Sequence, residues 1–512
     1  MELLFGSGAR PAFSDAPSSA QFLCLIVLDA FRADYLQMQP MSTLAALAAA
    51  GTSYSSAWVG HLQSETPTSH AALATGSIPS RTGILGFEWR DAKTKQEMMD
   101  GWSAGVLAGD MDRDLLASGT TSISAAVKAA RPGARVVTLS SEKVYAADAM
   151  GGPSADYILY NSHSGPGRRK LLPAAVPGHE PPPAFFAHPN LSLPMPLGNF
   201  HEWDWLSAML ALAAFDEFHP AVLMVNLPGA DVYGHPYGPG VPSVMQQVVA
   251  GLDRNIARIV AAYKKAGIYD QTVFVVAGDH GMVPNIRGVS TEKLKAAVKE
   301  AGGELYFEWG GTGACIWLHN WWHAPAVASA LLKIPGIASA YYQVDRKGQY
   351  HYLPAAGMTI DPGLDAANQY LLATMAGGRA PDVVAPFRED TVAHIYGHAH
   401  GDHGGLTWGA QHVPLVISGP GVRAGNVSQY PARLVDIAPT VLRLLGIPIP
   451  QMDGIVLADA LVQPTASDSA VQAALAPGLS DHQTALIAQS QNNIAEDTQL
   501  GLTSKGPQPI HA

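Results

Sequence analysis

The chain has 512 residues, a formal net charge of −11, 47% hydrophobic residues and only 14% charged ones. That length allows a large domain with an insertion or two domains, and the low charge content excludes a disordered chain. The negative balance argues against a nucleic-acid groove or an anionic membrane surface as partner. It leaves open a small anionic substrate met through bound divalent cations.

Nineteen His against two Cys favour imidazole and carboxylate chemistry over thiolate clusters. Cys24 and Cys315 each lie in an apolar strand-like run, so two buried free thiols are expected rather than a disulfide. Residues 1–20 are rich in Gly, Ala, Ser and Pro and are expected to be loose. The start lacks a basic stretch leading into a long apolar one, and no apolar run approaches the ~20 residues of a membrane helix. A cytoplasmic protein with no membrane span is the expectation.

The first ordered run is 22–28, Phe-Leu-Cys-Leu-Ile-Val-Leu, a strand buried on both faces that delivers Asp29 at its end. Capping is the ordinary role of an Asp after a strand. Asp29 is taken as a ligand and Asp34 as structural. An Ala-rich helix over 42–50 is stopped by Gly51. Over 64–86 hydroxyls crowd ahead of an Ala/Leu helix, whose free N–H groups can meet an anion. Thr66, Thr68 and Ser69 each suit an N-cap, and a hydroxyl there beside a metal also suits an activated nucleophile.

From 87 to 200 the pattern loosens, with a strand at 135–139 and a Pro-rich surface excursion near 173–196. A strand at 221–228 leads to Asp231 and His235. Gly234 and Pro236 between and after them favour a loop that folds both groups onto one ion. An amphipathic helix over 243–266 then feeds a strand at 272, which completes a βαβ unit. That strand ends in Gly278-Asp279-His280-Gly281. Neighbouring strand side chains point to opposite faces, so Asp279 and His280 converge on one ion only if the backbone turns, as the flanking glycines allow.

Between 285 and 395 short aromatic runs alternate with Ala-rich helical segments, which suggests a small α+β cap whose aromatics are mainly its own core. Four His, at 398, 400, 403 and 412, precede a last apolar strand. Residues 434–446 form a helix, and beyond 463 the chain is Ala/Gln/Ser-rich and expected to fray. The expected fold is α/β, a mostly parallel central sheet flanked by helices. Its core spans 21–284 and 396–462, with a cap over 285–395 and a tail over 463–512.

These blocks together resemble the alkaline phosphatase superfamily, most closely its type I phosphodiesterase/nucleotide pyrophosphatase branch. The resemblance runs through Val27-Leu28-Asp29-Ala30-Phe31-Arg32, Thr66…His70…Thr75-Gly76, Asp231…His235…Gly238-Pro239 and Gly278-Asp279-His280-Gly281-Met282. It continues through His403-Gly404-Gly405…Val413-Pro414 and Asp436-Ile437-Ala438-Pro439-Thr440. One such match is weak; the ordered set is specific.

The resemblance implies two divalent metal ions, Zn²⁺ with Mn²⁺ as the alternative. One would take Asp231, His235 and His403, with His412 as the alternative to His403. The other would take Asp29, Asp279, His280 and the oxygen of Thr66, the nucleophile, with Thr68 and Ser69 as alternatives to it. The implied chemistry is phosphoric ester hydrolysis of a small phosphate-ester or nucleotide-like substrate through a phospho-threonine intermediate.

Two positions depart from the pattern. Related enzymes carry an Asn after the Gly-Ile of the nucleophile block where this chain has Phe87, and some monoesterases carry an Arg where it has Tyr145. Lys143 either meets a phosphoryl oxygen or is a solvated surface residue. Losing the Asn and Arg donors tilts the expectation towards diesters, which present fewer charged oxygens than monoesters. The alternatives are a phosphomonoesterase or phosphonate hydrolase and, more remotely, a non-catalytic metal-binding homologue.

Overall fold

The computed structural model describes residues 20–91, 98–111, 119–164, 170–195, 198, 200–393 and 400–502. The loose segment expected over 1–20 lies almost wholly outside these residues, as does His398.

The continuous apolar runs form the middle of a nine-stranded sheet. In chain order its strands are β1 (Phe22–Leu28), β2 (Gly51–Tyr54), β3 (Val136–Ser140), β4 (Tyr157–Ser164), β5 (Lys170–Ala175), β6 (Val222–Leu227) and β7 (Thr272–Gly278). Five strands of a second sheet follow: β8 (Leu305–Gly310), β9 (Gly313–Leu318), β10 (Tyr341–Arg346), β11 (Gln349–Pro354) and β12 (Val383–Pro386). The chain then returns to the first sheet with β13 (Leu415–Ser418) and β14 (Asn426–Ser428).

The spatial order of the large sheet is β14-β2-β13-β7-β1-β6-β3-β4-β5. Its central run β7-β1-β6-β3-β4 is parallel, while β13 runs antiparallel to β7 and β5 antiparallel to β4. Side chains alternate between two cores. Leu23, Leu25, Val27, Val273 and Val275 face one, and Cys24, Ile26, Leu28, Phe274 and Val276 face the other. Apolar runs with no polar alternation are what burial on both faces requires. Cys24 and Cys315 are both buried and free.

The expected helix over 42–50 is α1 (Ser42–Ala49), and that of the nucleophile block is α2 (Thr66–Thr75). A helix not singled out from the sequence, α3 (Glu202–Phe218), packs under the sheet. Two further helices are α4 (Gly229–Tyr237) and α5 (Pro242–Lys265).

The expected loop around Asp231 and His235 is therefore a helix, α4. Pro236 falls in its last turn, where the missing N–H costs only one hydrogen bond, and Gly238 ends it with its amide on Gly234 O. Asp231 and His235, four apart, consequently share one face.

The second sheet is wholly antiparallel, in the order β8-β9-β12-β10-β11, and carries helices over Thr291–Glu300, Ala324–Leu331 and Pro362–Ala373. The tail expected to fray forms a 34-residue helix, α6 (Ala466–Gln499). Thr465 caps it by accepting from Asp468 N. Its buried stripe, Leu479, Gln483, Leu486, Ser490, Asn493 and Asp497, has helical spacing but is mostly polar. Ion pairs from Arg287 to Asp497 and from Arg388 to Glu496 fasten it to the second sheet's segment. Among the described residues no helix is long and apolar enough to cross a membrane.

Candidate metal centre

Four adjacent parallel strands bring their carboxyl ends to one edge of the large sheet, the place where open α/β sheets bind ligands. There β1 delivers Asp29, β7 delivers Asp279 and His280, β6 leads into α4 with Asp231 and His235, and β3 leads to Lys143. Because β13 is antiparallel, the segment preceding it reaches the same edge and supplies His403. Thr66 enters as the first residue of α2.

Two clusters result. In the first, His235 Nε2 and His403 Nε2 lie 3.3 and 3.2 Å from Asp231 Oδ1 without hydrogen-bonding to it. In the second, Thr66 Oγ1 lies 3.2 Å from His280 Nε2 and 3.4 Å from Asp29 Oδ1. His280 Nε2 lies 3.4 Å from Asp279 Oδ2 and 3.6 Å from Asp29 Oδ1. Ligand atoms bound at 2.0–2.1 Å around a tetrahedral zinc ion stand about 3.3–3.4 Å apart. The spacing in both clusters matches that separation.

In three of these groups the remaining atom is held from behind, as ligand orientation requires, while His403 Nδ1 makes no hydrogen bond. His235 Nδ1 faces Gly401 O and His280 Nδ1 faces Gly281 O, both at 2.9 Å, so each Nδ1 donates there and each Nε2 points inward. Asp279 Oδ1 accepts from the amides of Ala30 and His280, leaving the buried Oδ2 with no hydrogen bond. Ala30, next to Asp29, takes φ +53°, a strained conformation of the kind that gathers at functional sites.

Asn226 donates to Asp29 Oδ2 at 2.8 Å and meets His70 Nε2 at 3.0 Å, while His70 Nδ1 faces Thr66 O at 2.7 Å. His70 therefore orients Thr66 and Asn226 orients Asp29. The sequence's only sign of Asn226 was a polar residue inside an apolar strand run.

Charge balance also calls for cations. Asp29, Asp231 and Asp279 are buried together, and Lys143 lies between two of them, 3.0 Å from Asp29 Oδ1 and 2.5 Å from Asp231 Oδ2. Lys143 is thus a buried bridge and not a solvated surface residue. Burial, with Asp29 beside it, pushes Asp279 well above the usual carboxylate range. Burial acts the same way on Asp231, but the Lys143 ammonium and His235 overcome it and hold Asp231 well below that range. Burial lowers His280 to about 3 and His403 to about 4, so both present neutral imidazole. His235 is the exception: against burial, Asp231 raises it to about 9. Three carboxylates sharing one ammonium, with imidazole nitrogens facing inward and carboxylate oxygens that make no hydrogen bond, form a donor set suited to two divalent cations.

The alternatives considered from the sequence have surroundings of their own. Thr68 and Ser69 are buried with hydroxyls that make no hydrogen bond. His412 stacks on Trp408 and meets Ser55 O at 3.0 Å. Asp34 pairs with Arg32 at the surface. Phe87 stacks on Trp102 with ring centres 4.1 Å apart, and Tyr145 stands edge-on to both at 4.9 and 5.4 Å. The two departures from the family pattern thus form one aromatic wall, two residues along the chain from Lys143.

Alkaline phosphatase PhoD of Zymomonas mobilis is 26% identical over 307 residues, 47% of this chain and 50% of that protein. Alkaline phosphatase PhoK of Sphingomonas is 26% identical over 324 residues, 53% and 56% of the two chains. The chain thus matches about half the length of these curated relatives. Among solved structures, wild-type alkaline phosphatase PafA superposes with a TM-score of 0.67 at 16% identity, over 88% of this chain and all of that one. That likeness is one of fold. The family description "Type I phosphodiesterase / nucleotide pyrophosphatase" matches residues 23–406, a span that holds every candidate ligand above. The chain belongs to the type I phosphodiesterase/nucleotide pyrophosphatase family.

Proposed function

We propose that this chain is a two-metal phosphoric ester hydrolase, a phosphodiesterase or nucleotide pyrophosphatase that works through a phospho-threonine intermediate. The observation that carries this reading is the position of Thr66 Oγ1, at ligand spacing from both Asp29 Oδ1 and His280 Nε2. A threonine hydroxyl is a poor nucleophile at neutral pH and needs activation. Asp29, Asp279 and His280 would hold one ion beside it, and Asp231, His235 and His403 the other. Zinc or manganese there would acidify the hydroxyl and neutralise charge on the phosphoryl group.

The chain's own residues do the positioning. His70 and the α2 backbone fix Thr66 at the start of its helix, and Asn226 fixes Asp29. Buried Lys143 offers an ammonium to a phosphoryl oxygen entering between the two carboxylates it now bridges. The preference for diesters rests on Phe87, Trp102 and Tyr145. Their wall supplies aromatic surface for the second ester substituent, where related enzymes place an amide and some monoesterases a guanidinium.

A phosphomonoesterase is the second reading, favoured by Lys143 as a cation for a dianionic phosphate and by the alkaline phosphatases among the relatives. The test is the ratio of kcat/KM for an aryl phosphodiester to that for the matching monoester on zinc-loaded protein. A ratio well above one is expected. A ratio well below one makes the chain a monoesterase.

A further inference from the structure

Helix α3 contributes no candidate ligand, yet three of its polar side chains grip segments that line the site. Asp204 Oδ1 accepts from Gly229 N, the first residue of α4, at 2.7 Å. Glu202 Oε2 accepts from Tyr233 Oη, one turn further along α4 and between Asp231 and His235, at 2.6 Å. Ser207 Oγ accepts from Ser141 N, two residues before Lys143, at 2.8 Å.

Asp204 is the unusual member. It is fully buried, and its Oδ2 has no hydrogen-bond partner, which ordinarily costs stability. It also fixes the identity of its neighbour: a Cβ on Gly229 would come within 2.2 Å of Oδ2. Burial pushes its carboxyl up to about 8. A group this costly, seated at the start of the one helix that carries two candidate ligands, needs a reason to be there.

We propose that Asp204 is a positioning residue that sets the metal affinity of the Asp231/His235/His403 cluster. By seating the first turn of α4, it places Asp231 and His235 at the spacing an ion needs. The Asp29/Asp279/His280 cluster is carried by β1 and β7 rather than by α4, so its ion should be held as in the wild type. Tyr233 and Glu202 form the second point of the same clamp. The inference rests on the metal reading above and adds to it which residues behind the site hold which ion.

The test measures zinc stoichiometry and affinity by chelator competition in wild-type protein, Asp204→Ala, Asp204→Asn and Tyr233→Phe, with melting of the metal-free forms alongside. Second-layer partners of metal ligands typically contribute about 10–100-fold in affinity. Asp204→Ala should lose that much at one of the two ions, and His235→Ala should cost less at that ion in the Asp204→Ala background than in the wild type. Asp204→Asn keeps an acceptor for Gly229 N and should restore most of the affinity. If Asp204→Ala does not fold, Tyr233→Phe decides, with a several-fold loss at the same ion expected.

Wild-type affinity for both ions in the folded variants would overturn the proposal, even if their melting temperatures fall, because Asp204 would then serve stability alone. Equal weakening of both ions would overturn its selectivity. Wild-type protein that binds no zinc would instead sink the metal reading. The clamp would then be judged by amide exchange over 229–233, expected to quicken in Asp204→Ala, and unchanged exchange would end it too.

Discussion

Thr66 Oγ1 and His280 Nε2 stand 3.2 Å apart, although 214 residues separate them in the chain. β7 delivers His280 just beyond its carboxyl end, and Thr66 arrives from a different direction, as the first residue of α2. On the proposed mechanism Thr66→Ala should lower kcat by more than about 10³-fold, because it removes the proposed nucleophile. Asp29, Asp279 and His280 remain, so metal content should stay near that of the wild type, and Thr66→Ser should recover part of the rate. Turnover at the wild-type rate in Thr66→Ala would move the nucleophile to another hydroxyl.

Lys143 gives a prediction that separates structure from chemistry. Its ammonium bridges Asp29 and Asp231 inside a buried site. Removing one partner from a buried ion pair costs about 3–5 kcal/mol, since the other charge is left uncompensated. Lys143→Met should thus destabilise the metal-free protein by about that amount. With divalent ions loaded, the carboxylates have other cations and the loss should shrink. Melting both forms with and without metal checks this. An equal loss in the two states would mean that Lys143 supports the fold independently of the metal site.

If the proposed reading holds, the aromatic wall sets substrate preference. Phe87 and Tyr145 touch each other and Trp102, so converting them changes one surface. The double variant Phe87→Asn/Tyr145→Arg should shift the diester-to-monoester ratio of kcat/KM towards monoesters by about tenfold or more. That corresponds to the ~1.5–3 kcal/mol of a charge-assisted hydrogen bond to a dianionic phosphate. An unchanged ratio would place ester selection elsewhere, most directly in the antiparallel sheet's segment.

Much of this site was legible because each candidate ligand follows a distinctive local pattern. Asp29, Asp279 and His280 each stand just beyond a continuous apolar run, and only a doubly buried strand explains such a run. Legibility failed where tertiary contacts override local rules. Pro236 argued against the helix that carries Asp231 and His235, because a sequence does not show that the proline falls in a last turn or that Asp204 caps the other end. The long helix α6 was missed because the face it buries is largely Gln, Ser, Asn and Asp, satisfied by partners such as Arg287 that lie far away in sequence. Asn226 and Asp204 carry no signal of their partners at all. A polar residue in a strand or helix announces burial only once its neighbours are known.

Asp148 yields a pH prediction away from the metal centre. It is fully buried in the helix that follows Lys143, and its Oδ2 accepts from the amides of Gly105 and Leu107 at 3.0 and 3.2 Å. Two influences compete there. Burial disfavours the carboxylate, and the amide donors favour it. Burial prevails, and the carboxyl is pushed from 3.8 up to about 6. The native state then keeps a proton that the unfolded chain has already lost, so between those two values folding stability falls as pH rises. The contribution is full below the unfolded value and gone above about 6. The change amounts to up to about 3 kcal/mol at ~1.4 kcal/mol per pH unit. Asp148→Asn cannot ionise, so its stability relative to the wild type should rise between pH 4 and pH 6.5 and level off beyond. Paired denaturant melts at those two values, with metal content held equal, read this difference directly. A relative stability that falls over the same interval would mean that the amide donors outweigh burial and hold Asp148 ionised.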